Sequence, residues 1–469
     1  MTFSRRAFVA SAATSLAFAG FSARAAQQGE ARPESYLNEV EGYGALIPDP
    51  KRILDLPAGF TYRVISQAGE TMDDGFRVPG AFDGMGCFDL GEGKVALVRN
   101  HELTLEMFDH GPFGYGGRLL DKLPKDGAYD FYGDGRPLVG GTTTLVYDTK
   151  SGRTLGQHLS LTGTAVNCAG GVTPWGSWLT CEETVLDAKD GVGKSHGWVF
   201  EVPHAHKGLV QPVPLTAMGR FKHEAACIDP RTGVVYMTED VQDGLFYRFL
   251  PNDRHKLSAG GRLQALALSG AAQGADLRNQ EAGEAFAALA WSDVRWIDLD
   301  GVDNPHDDLR KRGHALGATR FARGEGVHWG DGELYFTATS GGALKAGQIF
   351  RYRPSAHEGQ AGESDQPGRL QLFVESRDQR VMDYADNIVV SPLGHILICE
   401  DRYSATKPNH LRGVTPDGKV YTLGRNVFEG NGEFCGACFS PDGRTLFVNV
   451  QWPGFTLAIT GPWAALKTA

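Results

Sequence analysis

Apolar positions in this chain come in short runs, each preceded by a cluster of turn-forming residues. The segments "DPRTGVVYMTEDV" from Asp229, "WGDGELYFTATSGG" from Trp329 and "SPLGHILICEDRY" from Ser391 share this layout, as do "TPDGKVYTLGRN" from Thr415 and "SPDGRTLFVNVQWPG" from Ser440. In each, Pro or Asp-Gly turn chemistry feeds a strand of alternating or wholly apolar character. "GGTTTLVYDTKSGRTLGQHLSL" from Gly140 is a hairpin of the same kind. The units recur at irregular spacing, as blades with variable insertions would. Helical signals are few: "NQEAGEAFAALAW", Asn279 to Trp291, predicts one alanine-rich helix. "DHGPFGYGGRLLDKLPKDGAYDFYGDG" and "HEGQAGESDQPGR" read as long loops.

The 62 glycines fall between apolar runs and favour many turns over long helices. With 469 residues the chain is long enough for two or three ordinary domains or for one large closed β architecture. No Gly/Ser linker separates independent domains. Radial repetition of short antiparallel sheets accounts for the hairpins without one. The pattern therefore predicts an all-β fold, a β-propeller with long loop insertions and few helices, and a pair of β-sandwiches is the second choice.

The N-terminal stretch "SRRAFVASAATSLAFAGFSARAAQ" carries Arg5-Arg6, an apolar run and an A-x-A-like site at Ala23-Arg24-Ala25. This is the layout of a twin-arginine export signal, a route that carries folded proteins; an ordinary secretory signal is the alternative. The expected division is a signal over residues 1–25, a polar lead-in over 26–50 and a single propeller domain over 51–469. No other stretch is long and apolar enough to span a bilayer. The mature chain is thus expected to be periplasmic or secreted, with the export machinery as a partner and no stable membrane insertion. A formal charge of 46 minus 56, or −10, also argues against nucleic acid and anionic membrane surfaces as partners. Bound cations would reverse the local sign in an acidic pocket. Seven cysteines do not read as a disulfide scaffold in a chain of this length. Cys435 and Cys438 form a C-x-x-C with no second half, which argues against structural zinc and leaves a redox pair or a disulfide open.

Acids stand near the ends of nearly all the strand-like units: Glu182 and Glu183, Glu224, Glu239 and Asp240, Glu325, Asp386, and Glu400 and Asp401. Taken singly, such residues are mostly solvated turn residues. Several converging on one propeller axis would instead suit a hard cation that takes six to eight oxygens. Cys168 alone is more often a small buried hydrophobe than a ligand, whereas a thiolate beside carboxylates suits a transition metal. Arg323 lies two residues before Glu325, so on a strand the two would share a face. Arg99 lies in "ALVRNHE" beside His101 and Glu102. Guanidinium groups next to cations are what phosphate recognition requires, although an ordinary ion pair would explain each arginine equally well.

The ordered motifs "DGMGCF", "LVRNHE", "NCAGGVTPWGSWLTCEE", "GRFKHEAACIDPRTGVVYMTED", "RFARGEG", "ADNIVVSPLGHILICED" and "FSPDGRTLFVNVQWPG" resemble those of the PhoX-type bacterial alkaline phosphatases, once grouped as a domain of unknown function. The resemblance runs from about residue 54 to about residue 454. It implies a six-bladed propeller around an oxo-bridged cluster of Fe3+ and Ca2+ ions. On that resemblance Cys168 matches an iron-ligating cysteine, Glu183, Glu224 and Glu325 match metal-ligand carboxylates, and Asp386 and Glu400 look like further ligands. Arg99 and Arg323 match phosphate-binding arginines. The implied reaction is hydrolysis of small phosphate monoesters, with some diesters, and Cys168 would act as a ligand instead of an attacking thiol. The extra cysteine pair in "FCGAC" departs from the family pattern. The competing readings are a calcium-dependent hydrolase of the lactonase type, which needs neither Cys168 nor the arginines, and a non-catalytic periplasmic propeller.

Overall fold

A computed structural model describes residues 36–271, 273–280, 285–402, 408–430 and 432–468. The expected export signal lies outside these residues. Asn38–Ala469 forms one compact unit; of the separate unit Met1–Leu37 only the last two residues are described.

Within the compact unit the expected all-β propeller is present. Six strands surround its axis: Phe82–Gly91, Asn167–Val172, His223–Ile228, Gly324–Trp329, Ala385–Val390 and Phe434–Phe439. Each packs against the next, and the last packs against the first. Every inner strand pairs antiparallel with the strand that follows it: Lys94–His101, Ser177–Glu182, Val235–Glu239, Leu334–Ala338, Ile396–Glu400 and Thr445–Val450. The same backbone hydrogen bond closes each of these six hairpins. The N–H just after the second strand (Glu102, Glu183, Asp240, Thr339, Asp401, Gln451) donates to the carbonyl just before the inner strand (Ala81, Val166, Lys222, Arg323, Tyr384, Glu433), at 2.8 to 3.2 Å.

Further strands build the sheets outward. The blade starting at Phe434 takes its outermost strand, Thr61–Gln67, from the other end of the chain, which ties the ring shut. Leu54–Pro57 and Leu46–Ile47 extend the preceding blade in the same way, so described residues of the lead-in belong to the sheet. Two neighbouring blades join edge to edge where Trp291–Asp298 pairs with Arg369–Glu375, giving a nine-stranded sheet. Covered edges leave few unpaired N–H and C=O groups for foreign strands.

Between blades the apolar faces meet. Leu179 and Val199 of one sheet pack on Val235, Met237 and Phe249 of the next, and Leu397 and Leu411 pack on Leu446, Val448 and Leu457. Burial on both faces explains why these strands read as nearly continuous apolar runs instead of clean alternation. Truncating one such leucine to alanine costs about 2–5 kcal/mol.

The helix expected over Asn279–Trp291 is not seen in its described part. Residues 281–284 lie outside the described set, Ala288 bridges to Leu372, and Trp291 opens a strand. Pairing with the exposed edge of Arg369–Glu375 overrides the helical preference of the alanines. Among the described residues the α-helix is Leu309–Ala315, buried through Leu309 and Gly313.

Candidate metal centre

The second residue of each inner strand is Asp83, Cys168, Glu224, Glu325, Asp386 and Cys435, in ring order. In every inner strand the pairing register slips at this point, between Phe82 and Met85, Asn167 and Gly170, His223 and Ala226, Gly324 and Val327, Ala385 and Ile388, and Cys435 and Cys438. A bulge re-aims a side chain that a regular pleat would turn elsewhere. Four of the strands are entered through a non-glycine residue with positive φ: Ala81 (43°), Val166 (50°), Arg323 (56°) and Tyr384 (55°). Backbone strain of this kind collects where side-chain placement matters more than local stability.

In five of the six strands the residue after this position is Gly or Ala, because the inner strands nearly touch there. A Cβ added at Gly84 would lie 2.5 Å from Ala169 Cα, and one at Gly326 would lie 2.7 Å from the Asp386 carbonyl oxygen.

The hairpin closure supplies a second ring. Glu102, Glu183, Asp240 and Asp401 occupy the position just after the second strand, and Gln451 occupies it in the last blade. Members of the two rings, with Glu433 just ahead of the last inner strand, form five groups whose potential ligand atoms lie within 4.8 Å of one another: Asp83–Glu102–Cys168, Cys168–Glu183–Glu224, Glu224–Glu325–Asp386, Asp386–Asp401–Glu433 and Asp83–Glu433–Cys435. Each group shares a member with the next, so the donors run around the axis without a break.

Electrostatics make this arrangement costly in the absence of cations. Burial, joined by neighbouring carboxylates, pushes Asp83, Glu183, Glu224, Glu325, Asp386 and Glu433 well above the usual carboxyl range. The same causes lift Glu102 to about 7 and raise the thiols of Cys168 and Cys435. Arg323 opposes this at Glu325 and Asp386, and Lys222 does so at Glu183. Both oxygens of Glu224 and Oδ1 of Asp386 are buried without a hydrogen-bond partner. Unpaired buried carboxylate oxygens facing other acids are rare unless a cation completes them, so the donor set fits bound metal. Carboxylates suit hard cations and the two thiols suit a transition metal.

A comparison with protein families matches residues 41–454 to the family described as alkaline phosphatase PhoX. The chain belongs to the PhoX alkaline phosphatase family. Among solved structures it is similar to Pseudomonas fluorescens PhoX in complex with vanadate, a transition state analogue, with a TM-score of 0.65 and 19% identity over 91% of this chain and 98% of that one. It is also similar to a gluconolactonase from Xanthomonas campestris, with a TM-score of 0.39 and 13% identity over 89% of this chain and 98% of that one. Among curated proteins no sequence matches it.

Within this PhoX-family site, Cys168, Glu183, Glu224, Glu325 and Asp386 come together as one set. Arg323 joins them, donating both Nε and Nη2 to Asp240 at 2.8 and 2.9 Å and also bonding Glu325. That contact arises because Arg323 is a left-handed residue just before the strand, not because positions i and i+2 share a pleat.

Two expected members are placed elsewhere. Arg99 is 1% exposed; its guanidinium stacks on the Phe82 ring at 3.6 Å and donates to Thr143 and Thr456 at 3.0 and 2.6 Å. Burial lowers its pKa to about 9. It braces two blades instead of reaching the carboxylates. Glu400 is the last residue of its strand; its Oε2 accepts the His410 N–H at 3.1 Å, its Oε1 is buried without a hydrogen-bond partner, and it belongs to none of the five groups. Its counterparts in other blades bond within their own surroundings: Glu239 accepts from the Tyr247 hydroxyl, and Glu182 accepts from the N–H groups of Ala165, Gly197 and Trp198. The acid that reaches the centre is Asp401, one residue on, where the alternation of side chains turns inward.

Sequence reasoning also passed over Asp83, Glu102, Glu433 and Cys435. A signal existed. Aligning "DGMGCF", "CAGGVT", "EAACID", "EGVHWG", "DNIVVS" and "CGACFS" gives six copies of a donor residue followed by Gly, Ala or Asn. Cys435 and Cys438, left open as a disulfide, are both free thiols.

Proposed function

We propose that this protein is an exported, metal-dependent phosphatase that hydrolyses small phosphate monoesters, with some diesters, using iron and calcium ions held on the propeller axis. The observation that carries the reading is the closed ring of buried donors, with the orphaned oxygens of Glu224 and Asp386 inside it, in a chain of the PhoX family. Cys168, Glu183, Glu224, Glu325, Asp386, Asp83 and Asp401 would hold the ions. Cations in that ring would balance the negative charge on a phosphoryl group and on its transition state. Arg323, held by the Asp240 fork and by Glu325, would orient the phosphoryl oxygens from the rim. The bulged inner strands hold these side chains in place before substrate arrives, so little reorganisation is needed during reaction.

A calcium-only hydrolase would require oxygen donors alone, whereas Cys168 stands inside the ring with its sulfur facing Glu183 and Glu224. That placement supports the phosphatase reading. Arg5-Arg6 and the A-x-A-like site support twin-arginine export and a periplasmic or secreted location. No helix among the described residues is long and apolar enough to cross a membrane.

The test is elemental analysis of protein purified from the periplasm, together with hydrolysis of a chromogenic phosphate monoester with and without a chelator. Iron plus calcium with chelator-sensitive turnover is the expected result. Calcium alone with lactone cleavage, or no metal and no turnover, would overturn the reading.

A further inference from the structure

Asp83 stands between two thiols. It shares one donor group with Cys168 and Glu102 on one side and another with Cys435 and Glu433 on the other. The family resemblance gives a role to Cys168 alone, and the "FCGAC" pair is extra. The fold separates that pair. Cys438 packs with Met85, Val95 and Phe447, as a small hydrophobe would. Cys435 belongs to no apolar cluster among the described residues. It occupies instead the reactive second position of its inner strand, equivalent to Asp83, Cys168, Glu224, Glu325 and Asp386. Its thiol is 1% exposed and donates to the Phe82 carbonyl at 2.9 Å. Beyond Glu433 lies Asp386, 7% exposed, whose Oδ1 has no partner and whose carboxylate closes with Glu433 and Asp401 into the adjoining group. The corner therefore combines a thiol, two acids and a neighbouring orphaned acceptor. The Gln451 amide donates to Glu433 at 2.7 Å and to Asp83 at 3.3 Å, so what packing leaves unexplained is the thiol set among carboxylates and the orphaned acceptor beside them.

We propose that Cys435 is a second thiolate donor of the centre and, with Asp83 and Glu433, holds a thiophilic transition-metal ion separate from the ion at Cys168. The inference rests on the metal-centre reading above. A donor set of one sulfur and two carboxylates favours a transition metal over calcium. Binding replaces the S–H bond by a sulfur–metal bond and releases that proton to solvent; no electron is transferred.

The test titrates chelator-stripped protein with Co2+ and reads both the thiolate-to-cobalt charge-transfer absorption and the cobalt retained. Cys435→Ser and Cys168→Ser should each give about half the wild-type absorption and retain one cobalt fewer. The double variant should give no band, and Cys438→Ser should match wild type. A Cys435→Ser protein with the wild-type band and cobalt content, beside a Cys168→Ser protein with neither, would overturn this inference and leave the metal centre standing. A wild-type protein with no charge-transfer band would defeat both. Should Cys435→Ser fail to fold, X-ray absorption at the cobalt edge of the wild-type protein decides: two sulfur donors per chain support the proposal, and one overturns it.

Discussion

His196 is fully buried between two acids, with Nδ1 at 2.7 Å from Glu182 and Nε2 at 3.0 Å from Asp130. Burial opposes its charged form, but Glu182 and Asp130 outweigh burial and lift its pKa from 6.5 to about 9. A group whose pKa is higher folded than unfolded adds stability that is complete below the unfolded value and is lost as pH rises through the folded value. At 1.36 kcal/mol per pKa unit, this rise is worth about 3 kcal/mol below pH 6.5 and fades toward pH 9 and above. His196→Gln removes the cation and leaves two buried carboxylates facing each other, a change expected to cost about 3–5 kcal/mol at pH 6. With an unfolding entropy of about 2 cal/mol/K per residue, the melting temperature should fall by roughly 3–5 °C at pH 6 and by much less at pH 10. Thermal unfolding of both proteins at the two pH values is the assay. An equal gap at pH 6 and pH 10 would refute a charged imidazole and the reasoning built on it. The same substitution should loosen metal retention. Glu182 also fixes the Ala165 N–H just ahead of the Cys168 strand, and the next residue, Glu183, faces the centre.

The two arginines should separate cleanly. Arg323→Lys should lower kcat/KM by roughly 100-fold with little change in melting temperature. Arg99→Lys should lose about 2 kcal/mol of stability and leave KM unchanged, because its partners are Thr143, Thr456 and the Phe82 ring. Reversed phenotypes would place Arg99 at the substrate. Asp401→Asn should lower the metal content measured by elemental analysis, whereas Glu400→Gln should keep it, since Glu400 faces the His410 amide. In chelator-treated protein near neutral pH, Glu224→Gln should unfold at a higher temperature than wild type, against the usual sign for a core substitution, because burial and the neighbouring Glu183 and Asp386 hold this carboxyl protonated when folded while it ionises freely when unfolded. With metal present the order should reverse.

The amino-acid sequence by itself determined a great deal about this protein. Turn chemistry ahead of apolar runs specified the hairpins, and the absence of a linker argued for one closed array, because each sheet must bury both faces against its neighbours. The resemblance of the motifs around Cys168, Glu224, Glu325 and Asp386 to those of the PhoX family singled out these four residues as ligands, without placing them on strands. Only the tertiary structure decided which acid of each adjacent pair faces the axis. Glu183, which the family resemblance had singled out, and Asp401, which it had not, follow their second strands and turn inward, while Glu182 and Glu400 end those strands and turn into their own blades, because successive side chains alternate between faces. Tertiary structure likewise placed Arg99 against Phe82 and Thr456, 357 residues away in the case of the threonine. It also brought Cys435 beside Asp83, a neighbour created only when the last blade closes on the first. The six-fold motif marks Asp83 and Cys435 as equivalent positions, but that the two stand side by side is set by the ring closure and carries no local signature.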